Sequence, residues 1–403
     1  MDIENLEKRK LKSTNRQVIA KIERWAEEGV SIAHDEDNKI IFVRYAIPGE
    51  TVKINIYKEA KDYSMGEPIE IIEPSPLRIT PECKYFALCG GCDYQMITYE
   101  EQLKIKQATV KETFRRIGNM EIEFTDIITN PSVFNYRNTE TFKVNPRRKQ
   151  IGFFRKDTKS IVDIENCKIA MPKINEALEY LRNSEKEPPH NFKVRTTSSG
   201  ETVVNMIETE KYEDAAVMET IKACEKEITF KISKDSFFQV NNAVIPLWLE
   251  KIVSFLDKEK SERIFDLYCG IGLITLFVSY FAKETIGVEL AKSSVIDGNF
   301  NIKHNNIETN VKIIEAAVED KLPQLGYADV MIVDPPRKGL DENTKKTLLT
   351  MKPKKIIYSS CKASTMARDI KELSCEYEVS EFVLVDMFSH THHTETLACL
   401  VRK

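Results

Sequence analysis

Three cysteines lie close together in the segment PECKYFALCGGCDYQM, as Cys83, Cys89 and Cys92. Thiols at such spacing can bind a metal, form disulfides or carry out nucleophilic chemistry. The chain holds nine cysteines, an odd number, and its first residues, MDIENLEKRKLKSTNRQ, are charged where a secretory signal would be apolar. The odd number of cysteines and the charged first residues disfavour a disulfide framework and favour metal binding or catalysis in a cytoplasmic protein.

Cys361 is a further candidate, because it follows the apolar segment KKIIYSS and precedes STMARDIKEL, whose spacing predicts a helix. The dipole at the N-terminus of a helix favours a thiolate, and Lys362 would add to that effect. A lone cysteine is more often a small buried hydrophobic residue, and we expect this role of Cys224, Cys269, Cys375 and Cys399. The position of Cys361 instead predicts a reactive thiol.

The segment DLYCGIGLITL, residues 266–276, places a predicted strand, a glycine-rich turn and a helix in succession, and Glu289 ends the next predicted strand. Glycines let the backbone approach a ligand, and an acid at the end of the following strand suits the diol of a ribose. A dinucleotide-binding turn would have a third glycine where Thr275 stands. The pattern predicts a nucleotide-type ligand, and its alternative is a plain turn.

These candidates must be held by strands that alternate with helices from about Asp235 onward. The predicted strands are RIFDLYC, ETIGVEL, NVKIIEA, ADVMIVD, KKIIYSS and EFVLVDMF. This alternation is typical of a parallel, doubly wound α/β sheet. Ligands bind such sheets outside the carboxyl ends of the strands. The residues that we expect to converge there are Gly270, Glu289, Asp334 and Cys361. The alternative role of Asp334 is to cap a turn.

The part of the chain before residue 235 has a different pattern. Residues 18–73 form short alternating segments separated by Gly and Pro, which predicts a β-barrel of about five strands. The stretch EPSPLRITPEC indicates a linker, and apolar spacing predicts a helix from Tyr99 to Gly118. Residues 121–232 alternate strand-like and helical pieces around the polar break RNSEKEPPHN, which indicates an α+β domain. The predicted domains are 1–75, 76–232 and 233–403.

The net charge of −4 argues against a generally basic nucleic-acid-binding protein but allows local patches. One such patch is KVNPRRKQIGFFRK, residues 143–156, with six Lys or Arg and no acid. Its aromatic residues, Phe153 and Phe154, suit base stacking, and the alternative is a solvated hairpin with buried Phe side chains. No apolar run approaches the roughly 20 residues that span a bilayer, so we expect no membrane partner.

Taken in order, these segments resemble the RNA uracil-C5 methyltransferase family, which includes bacterial 23S ribosomal RNA enzymes and related transfer RNA enzymes. The motifs that carry the resemblance are DSFFQVN, DLYCGIG, DPPRKG, SSC and HTHHTET. The N-terminal β segment resembles a TRAM domain, an OB-type RNA-binding barrel. The resemblance implies a class I, Rossmann-like methyltransferase domain at the C-terminal end and a small α+β central domain that holds an iron-sulfur cluster.

The resemblance also assigns roles to single residues. It implies that S-adenosylmethionine is bound by Gln239, Tyr268, Glu289 and Asp334. It further implies that Cys361 is the nucleophile and Glu395 the general base. This division suits uracil, because a thiolate added at C6 makes C5 part of an enolate, and a base must later remove the C5 hydrogen. The sequence departs from the family pattern at Leu273, where some members have a polar residue, and at Lys362-Ala363, where Asn-Pro is commoner.

Cys167, in the segment IVDIENCKI, matches the family's fourth cluster ligand. The resemblance therefore implies a [4Fe-4S] cluster, which all-thiolate ligation suits, on Cys83, Cys89, Cys92 and Cys167. Four thiolates also suit zinc, which is the alternative metal. The implied partner is RNA, with 23S ribosomal RNA ahead of transfer RNA, and the target base must leave its stack. We expect a monomer.

Three other functions stay open on the sequence alone. Radical S-adenosylmethionine enzymes also carry closely spaced cysteines, but their usual spacing is Cys-x3-Cys-x2-Cys, whereas this segment is Cys-x5-Cys-x2-Cys. A non-catalytic RNA-binding protein with a cluster would leave Cys361 and Glu395 without a role. An amino-methylating nucleic-acid enzyme is suggested by the DPP triplet, but it would have no need for Cys361.

Overall fold

The computed structural model describes residues 14, 16–184, 188–205, 209–257 and 259–403. Most of the charged N-terminal stretch and part of the polar break RNSEKEPPHN, on which predictions were made above, lie outside these residues. The chain divides into two compact units, here called the first and the second unit. The first comprises Met1–Thr109, Phe142–Lys168 and Phe388–His393, and the second comprises Val110–Thr141, Ile169–Met387 and Thr394–Lys403. The domain division at residues 75 and 232 stays a prediction.

The first unit begins with an all-β sheet. In its described part the strands are β1 (Gln17–Lys21), β2 (Arg24–Trp25), β3 (Val30–His34), β4 (Ile40–Arg44), β5 (Thr51–Glu59) and β6 (Tyr63–Glu73). Their order is β1-β5-β6-β4-β3-β2, and β4 pairs with β6 in parallel while the other neighbours are antiparallel. The sequence predicted about five strands, and the described residues form six, of which β2 is only two residues long.

The core of this sheet follows from alternating side chains. On β4 and β5, Ile41, Val43 and Ile54 are fully buried, and partly exposed residues stand between them, as expected for strands with one face on a core. Gly66 on β6 is required by close packing, because a Cβ there would lie 2.3 Å from Cγ2 of Ile54. The buried face therefore fixes the register of β5 against β6.

A helix follows the cysteine segment, as the apolar spacing predicted. Helix α1 spans Tyr99–Thr113 and continues as a short π-helix over Phe114–Gly118. The hydroxyl of Thr98 accepts a hydrogen bond from the Glu101 amide at 3.4 Å, which caps the start of the helix. Acidic residues in the first turn complement the helix dipole. Asn119, in the left-handed region with φ 53°, ends the helix.

The basic stretch forms a hairpin. The strands that follow α1 are β7 (Asp126–Ile128), β8 (Thr139–Asn145), β9 (Gln150–Phe154) and β10 (Ile161–Asp163). The antiparallel strands β8 and β9 are joined by a 3-10 turn. Phe153 stacks on Phe142 with ring centroids 5.1 Å apart, whereas Phe154 is 38% exposed and Nζ of Lys143 lies 5.7 Å from its ring centroid. The hairpin thus packs one phenylalanine and presents the other to solvent.

The second unit contains smaller elements before its main sheet. They are α2 (Pro172–Asn183), β11 (Asn191–Thr196), β12 (Thr202–Asn205), β13 (Val217–Ala223), β14 (Lys226–Ile232) and α3 (Ile245–Ser254). Strands β11 and β12 pair antiparallel, as do β13 and β14. The next helix, α3, buries Trp248, Leu249 and Ile252 on one face and begins at a proline-containing first turn, which a helix tolerates.

Among the described residues of the second unit, eight strands form the main sheet. The later strands are β15 (Ser261–Leu267), β16 (Ala282–Glu289), β17 (Val311–Glu315), β18 (Val330–Val333), β19 (Lys355–Ser360), β20 (Tyr377–Val385) and β21 (Glu395–Arg402). The order is β17-β16-β15-β18-β19-β21-β20-β7. Strands β15 to β19 are parallel, as predicted, but β21 runs antiparallel to both neighbours.

Helices alternate with these strands. They are α4 (Leu273–Val278), α5 (Lys292–His304), α6 (Val318–Leu325), α7 (Glu342–Met351) and α8 (Ala363–Leu373). All residues of β18 are buried, which requires cover on both faces of the sheet, as expected for a doubly wound α/β fold. In the described part of the chain, the structure shows no helix long and apolar enough to cross a membrane.

Candidate active site

The main sheet brings four of the predicted site residues to one edge. Strands β16, β15, β18 and β19 are neighbours and run parallel, so their carboxyl ends lie at the same edge. Gly270 follows β15, and Glu289 ends β16. Asp334 follows β18, and Cys361 follows β19. The structure therefore places these residues around the strand ends, where the sequence predicted a crevice.

The turn after β15 has a backbone conformation that few side chains tolerate. Tyr268, Gly270 and Gly272 have φ values of 67°, 56° and 85°. A Cβ at Gly272 would lie 2.8 Å from Cδ1 of Leu276, whereas a Cβ at Gly270 would meet no described atom within 4 Å. The Gly270 amide donates a hydrogen bond to Oε2 of Glu289 at 2.9 Å. The turn thus borders open space and fixes the carboxylate at the end of β16.

Thr275 stands where a dinucleotide-binding turn would have its third glycine, and its side chain makes a buried contact. Its hydroxyl donates a hydrogen bond to Oδ2 of Asp266 at 2.5 Å, and both residues are fully buried. Burial raises the pKa of Asp266 to about 7, with a smaller contribution from the charge of Glu289, while the Thr275 hydroxyl lowers it. Oδ1 of Asp266 has no hydrogen-bond partner among the described residues. Neighbouring Cys269 is buried, which raises the pKa of its thiol well above the usual value, as expected for a structural cysteine.

Two carboxyl groups at this edge of the sheet, those of Asp334 and Glu395, interact electrostatically. Burial raises the pKa of Asp334 to about 7, and the charge of Asp266 adds to this effect. Burial also raises the pKa of Glu395 well above its usual value, and the charge of Asp334 raises it further. The hydroxyl of Ser359 donates a hydrogen bond to Oε1 of Glu395 at 2.9 Å and opposes the increase. One member of the pair can therefore hold a proton near neutral pH.

Cys361 is partly exposed beside these carboxyl groups. Burial raises the pKa of its thiol, and the charges of Glu395 and Asp334 raise it further. Arg337 acts in the opposite direction, through its charge and through a hydrogen bond to the thiol. The structure therefore identifies Arg337 as a cation that favours the thiolate, whereas the contribution of Lys362, which the sequence suggested, stays a prediction. The signal was present in the DPPRKG motif, because Arg337 shares a turn with Asp334.

Gln239 and Tyr268 contact elements of the second unit other than the carboxyl pair. The carbonyl oxygen of Gln239 accepts a hydrogen bond from Nδ2 of Asn138 at 2.9 Å, and the same nitrogen donates to Oδ1 of Asn242 at 2.6 Å. Burial raises the pKa of Tyr268 to about 12, and its amide donates a hydrogen bond to the Val288 carbonyl at 2.9 Å. Both residues are thus held in place, and their contact with a cofactor stays a prediction.

The four cysteines predicted to bind a cluster affect one another in the first unit. Burial raises the pKa of Cys92 well above its usual value, and the charges of Cys167, Cys89 and Cys83 raise it further. The amide of Cys83 donates a hydrogen bond to Oε1 of Gln95 at 3.2 Å. In the described ranges, no group of three or more His, Cys, Asp or Glu side chains has the arrangement of a metal site. The thiols are neighbours, but the cluster stays a prediction.

The histidines of HTHHTET have structural partners within the first unit. Nδ1 of His392 lies 2.6 Å from Oδ2 of Asp93, which also pairs with Nζ of Lys156 at 3.1 Å. Burial alone would raise the pKa of Asp93, but these two partners hold it well below its usual value. The His390 amide donates to Oε1 of Gln102 at 2.9 Å. The loop is therefore tied down just before the chain enters β21 at Glu395.

Comparison with known proteins gives two family matches. The tRNA (uracil-5-)-methyltransferase family matches residues 211–403, and the TRAM domain matches residues 12–69. A protein of Clostridium tetani described as an uncharacterized RNA methyltransferase is 32% identical over 420 residues, which cover 90% of this chain and 91% of that protein. A protein of Aquifex aeolicus with the same description is 32% identical over 403 residues, covering 90% and 94%.

Among solved structures, the chain is similar to the tRNA (uracil-54, C5)-methyltransferase of Pyrococcus abyssi in complex with S-adenosyl-L-homocysteine, with a TM-score of 0.74. The sequences are 23% identical, and the similarity covers 95% of this chain and 99% of that chain. At this identity the similarity shows a shared fold. The predicted class I α/β fold with an N-terminal TRAM domain is confirmed, whereas the iron-sulfur central domain stays a prediction.

Proposed function

Because this chain belongs to the tRNA (uracil-5-)-methyltransferase family, we propose that it methylates C5 of a uridine in structured RNA, with S-adenosylmethionine as the methyl donor. The observation that carries the proposal is the grouping of Cys361, Glu395 and Asp334 at the strand ends, where their charges affect one another's pKa. A thiol and a buried carboxyl beside it are the groups that substitution at uracil C5 requires.

In the proposed reaction, Cys361 is the nucleophile. Its thiolate adds to C6 of the uracil ring, and C5 becomes part of an enolate that can attack an electrophile. The thiolate must be stabilised, because burial and two carboxyl groups raise the pKa of this thiol. Arg337 stabilises the thiolate through its charge and its hydrogen bond. Deprotonated Asp334 would accept a hydrogen bond from the N3–H group of uracil, a donor that cytosine lacks.

The methyl donor would lie at the ends of β15, β16 and β18. We propose that Gln239, Tyr268, Glu289 and Asp334 hold it. When bound, S-adenosylmethionine supplies a methyl group on a positively charged sulfur, which is the electrophile for C5. The residues fit such a ligand, because Glu289 raises the pKa of Asp266 and Asp266 raises that of Asp334, so a cationic ligand would stabilise all three charged forms. Gly270 leaves room for a ligand beside Glu289.

Glu395 is the proposed general base. After C5 has received the methyl group, the carboxylate removes the C5 hydrogen as a proton, and the electrons of the C–H bond restore the double bond between C5 and C6. Cys361 then leaves C6 as a thiolate. A carboxylate whose pKa is raised is a stronger base than an ordinary glutamate, so burial of Glu395 favours this step once the group is deprotonated.

The proposed substrate is 23S ribosomal RNA, in keeping with the sequence resemblance, and transfer RNA is the alternative. The name of the similar Pyrococcus abyssi enzyme supports the alternative. The TRAM match and the basic hairpin support RNA binding, since Phe154 is exposed and the tip residues Arg147, Arg148 and Lys149 are also exposed. A base in a loop, or one flipped out of its stack, would reach Cys361. We propose a cytoplasmic location, in keeping with such a substrate.

We further propose that a [4Fe-4S] cluster is held by Cys83, Cys89, Cys92 and Cys167. The donor set supports it, because each of the other three thiols raises the pKa of Cys92, and a bound cation is needed to keep four thiolates together. Iron and sulfide in an anaerobic preparation are the expected result, whereas zinc without iron would support the alternative. Full methyl transfer in the absence of a reductant would exclude radical chemistry.

The experiment that tests the proposed function is a map of 5-methyluridine in ribosomal and transfer RNA from cells with and without this protein. Loss of the modification at one or more uridines of 23S ribosomal RNA is the expected result. Loss from transfer RNA alone would correct the substrate and keep the chemistry. Unchanged 5-methyluridine in both RNA classes, together with no methyl transfer by the purified protein, would refute the proposal.

A further inference from the structure

Ser359, a residue to which the sequence motifs assign no role, lies on β19 next to the strand that begins at the proposed base, Glu395. Strands β19 and β21 are antiparallel, and Ser359 pairs with Leu397. Side chains two residues apart on a strand point to the same face. Leu397 and Glu395 therefore share a face of β21, and Ser359 lies on that face because it is paired with Leu397. The geometry brings a hydroxyl to the proposed base from β19, the strand that Cys361 follows.

The contact between Ser359 and Glu395 is specific and buried. Ser359 is 0% exposed and Glu395 is 4% exposed. The hydroxyl donates its hydrogen to Oε1 of the carboxyl group at 2.9 Å. This bond fixes one carboxyl oxygen, so rotation of the carboxyl group is restricted and Oε2 stays outside the bond. Hydrogen bonds to a charged carboxylate are stronger than those between neutral groups.

We propose that Ser359 is a positioning residue for the proton abstraction: its hydroxyl holds Oε1 of Glu395, and Oε2 then takes the hydrogen from C5. This inference rests on the proposed function and deepens it. The proton passes from C5 to Oε2, the electron pair of the C–H bond forms the double bond between C5 and C6, and the sulfur of Cys361 leaves with its bonding pair. The Ser359 hydroxyl keeps its own proton throughout.

The titratable groups around Glu395 define the pH effect of losing this hydroxyl. Asp334, after β18, raises the pKa of Glu395, and burial does so more strongly. Cys361, after β19, lies close enough to be affected by both carboxyl groups, and Arg337 is hydrogen-bonded to its thiol. Ser359 is the group that lowers the pKa of Glu395. Without the hydroxyl this pKa rises, and the base becomes deprotonated only at a higher pH.

The test is a pH profile of 5-methyluridine formation for Ser359→Ala. We expect kcat at pH values on the acid limb to decrease roughly 10- to 100-fold, which corresponds to the usual energy of a hydrogen bond to a charged group. The acid limb itself should shift to higher pH. Binding of S-adenosylmethionine should not change. The covalent protein–RNA adduct should accumulate, because its breakdown needs the base.

Matched variants separate positioning from packing. Ser359→Thr keeps the hydroxyl, and Ser359→Val has a side chain of the same size as threonine but no hydroxyl. Ser359→Thr should therefore show the wild-type profile, and Ser359→Val should not. Ser279→Ala removes another buried hydroxyl, which donates to the Leu276 carbonyl at 2.7 Å, and should leave the profile unchanged. A wild-type pH profile in both Ser359→Ala and Ser359→Val, while Glu395→Gln is inactive, would overturn the positioning role alone. If the wild-type protein methylates no uridine, the proposed function fails instead.

Discussion

Replacement of Arg337 by Met should make Cys361 less acidic. The variant keeps a long side chain but removes both the charge and the hydrogen bond that lower the pKa of the Cys361 thiol. A hydrogen bond to a charged group contributes about 1.5–3 kcal/mol, and one pKa unit corresponds to about 1.36 kcal/mol. Arg337 is exposed and Cys361 is only partly buried, so solvent screening favours the lower end of this range. We therefore expect the pKa to increase by about one unit, with about tenfold less thiolate at a given pH below it.

The assay is the pH dependence of alkylation of Cys361 by iodoacetamide, followed by mass spectrometry of the peptide that contains it, because the other cysteines would obscure a total thiol count. Lys362→Gln is the control, since the sequence suggested Lys362 as the supporting cation and the structure points to Arg337. The alkylation midpoint should move to higher pH in Arg337→Met and stay near the wild-type value in Lys362→Gln. An unchanged midpoint in Arg337→Met, or a larger shift in Lys362→Gln, would refute the reasoning.

Other variants test separate parts of the account. Cys361→Ala should abolish methylation and the covalent RNA adduct while S-adenosylmethionine binding, measured by calorimetry, is retained; undiminished turnover would remove Cys361 from the mechanism. Thr275→Val removes a buried donor to Asp266, so the pKa of Asp266 should rise above about 7 and the free energy of unfolding should fall by about 1–3 kcal/mol in denaturant titrations; equal stability would contradict the packing argument. Cys167→Ser should lower the iron content of an anaerobic preparation, and unchanged iron would exclude Cys167 as a ligand.

The sequence predicted well those features that depend on local pattern. Apolar spacing predicted the helix that begins at Tyr99, and the alternation of strands and helices predicted the parallel part of the main sheet. Since parallel strands share one carboxyl edge, the convergence of Glu289, Asp334 and Cys361 follows from the fold class. The expected role as small buried residues agrees with the burial of Cys269 and Cys399, but it is wrong for Cys375, which is exposed, and Cys224 is only partly buried.

Features that depend on distant pairing were not accessible in the same way. The antiparallel direction of β21 is decided by its neighbours, and β7, near residue 127, pairs with β20, near residue 384. The hydroxyl of Thr275 reaches a buried aspartate that no spacing rule predicts. Lys362 is adjacent to Cys361 in sequence, but the side chain that contacts the thiol comes from the turn after a neighbouring strand, at Arg337. Sequence proximity is thus a poor guide to electrostatic proximity at a sheet edge.

The central claim is that Cys361 bonds to C6 of a uridine and that Glu395 is needed to release the methylated product. The most direct measurement is mass spectrometry of the RNA-linked peptide formed by Glu395→Gln with substrate RNA and S-adenosylmethionine. We expect a covalent adduct between the peptide that contains Cys361 and a uridine that already carries the C5 methyl group. An adduct at another cysteine, or complete turnover by Glu395→Gln with no adduct, would contradict the account.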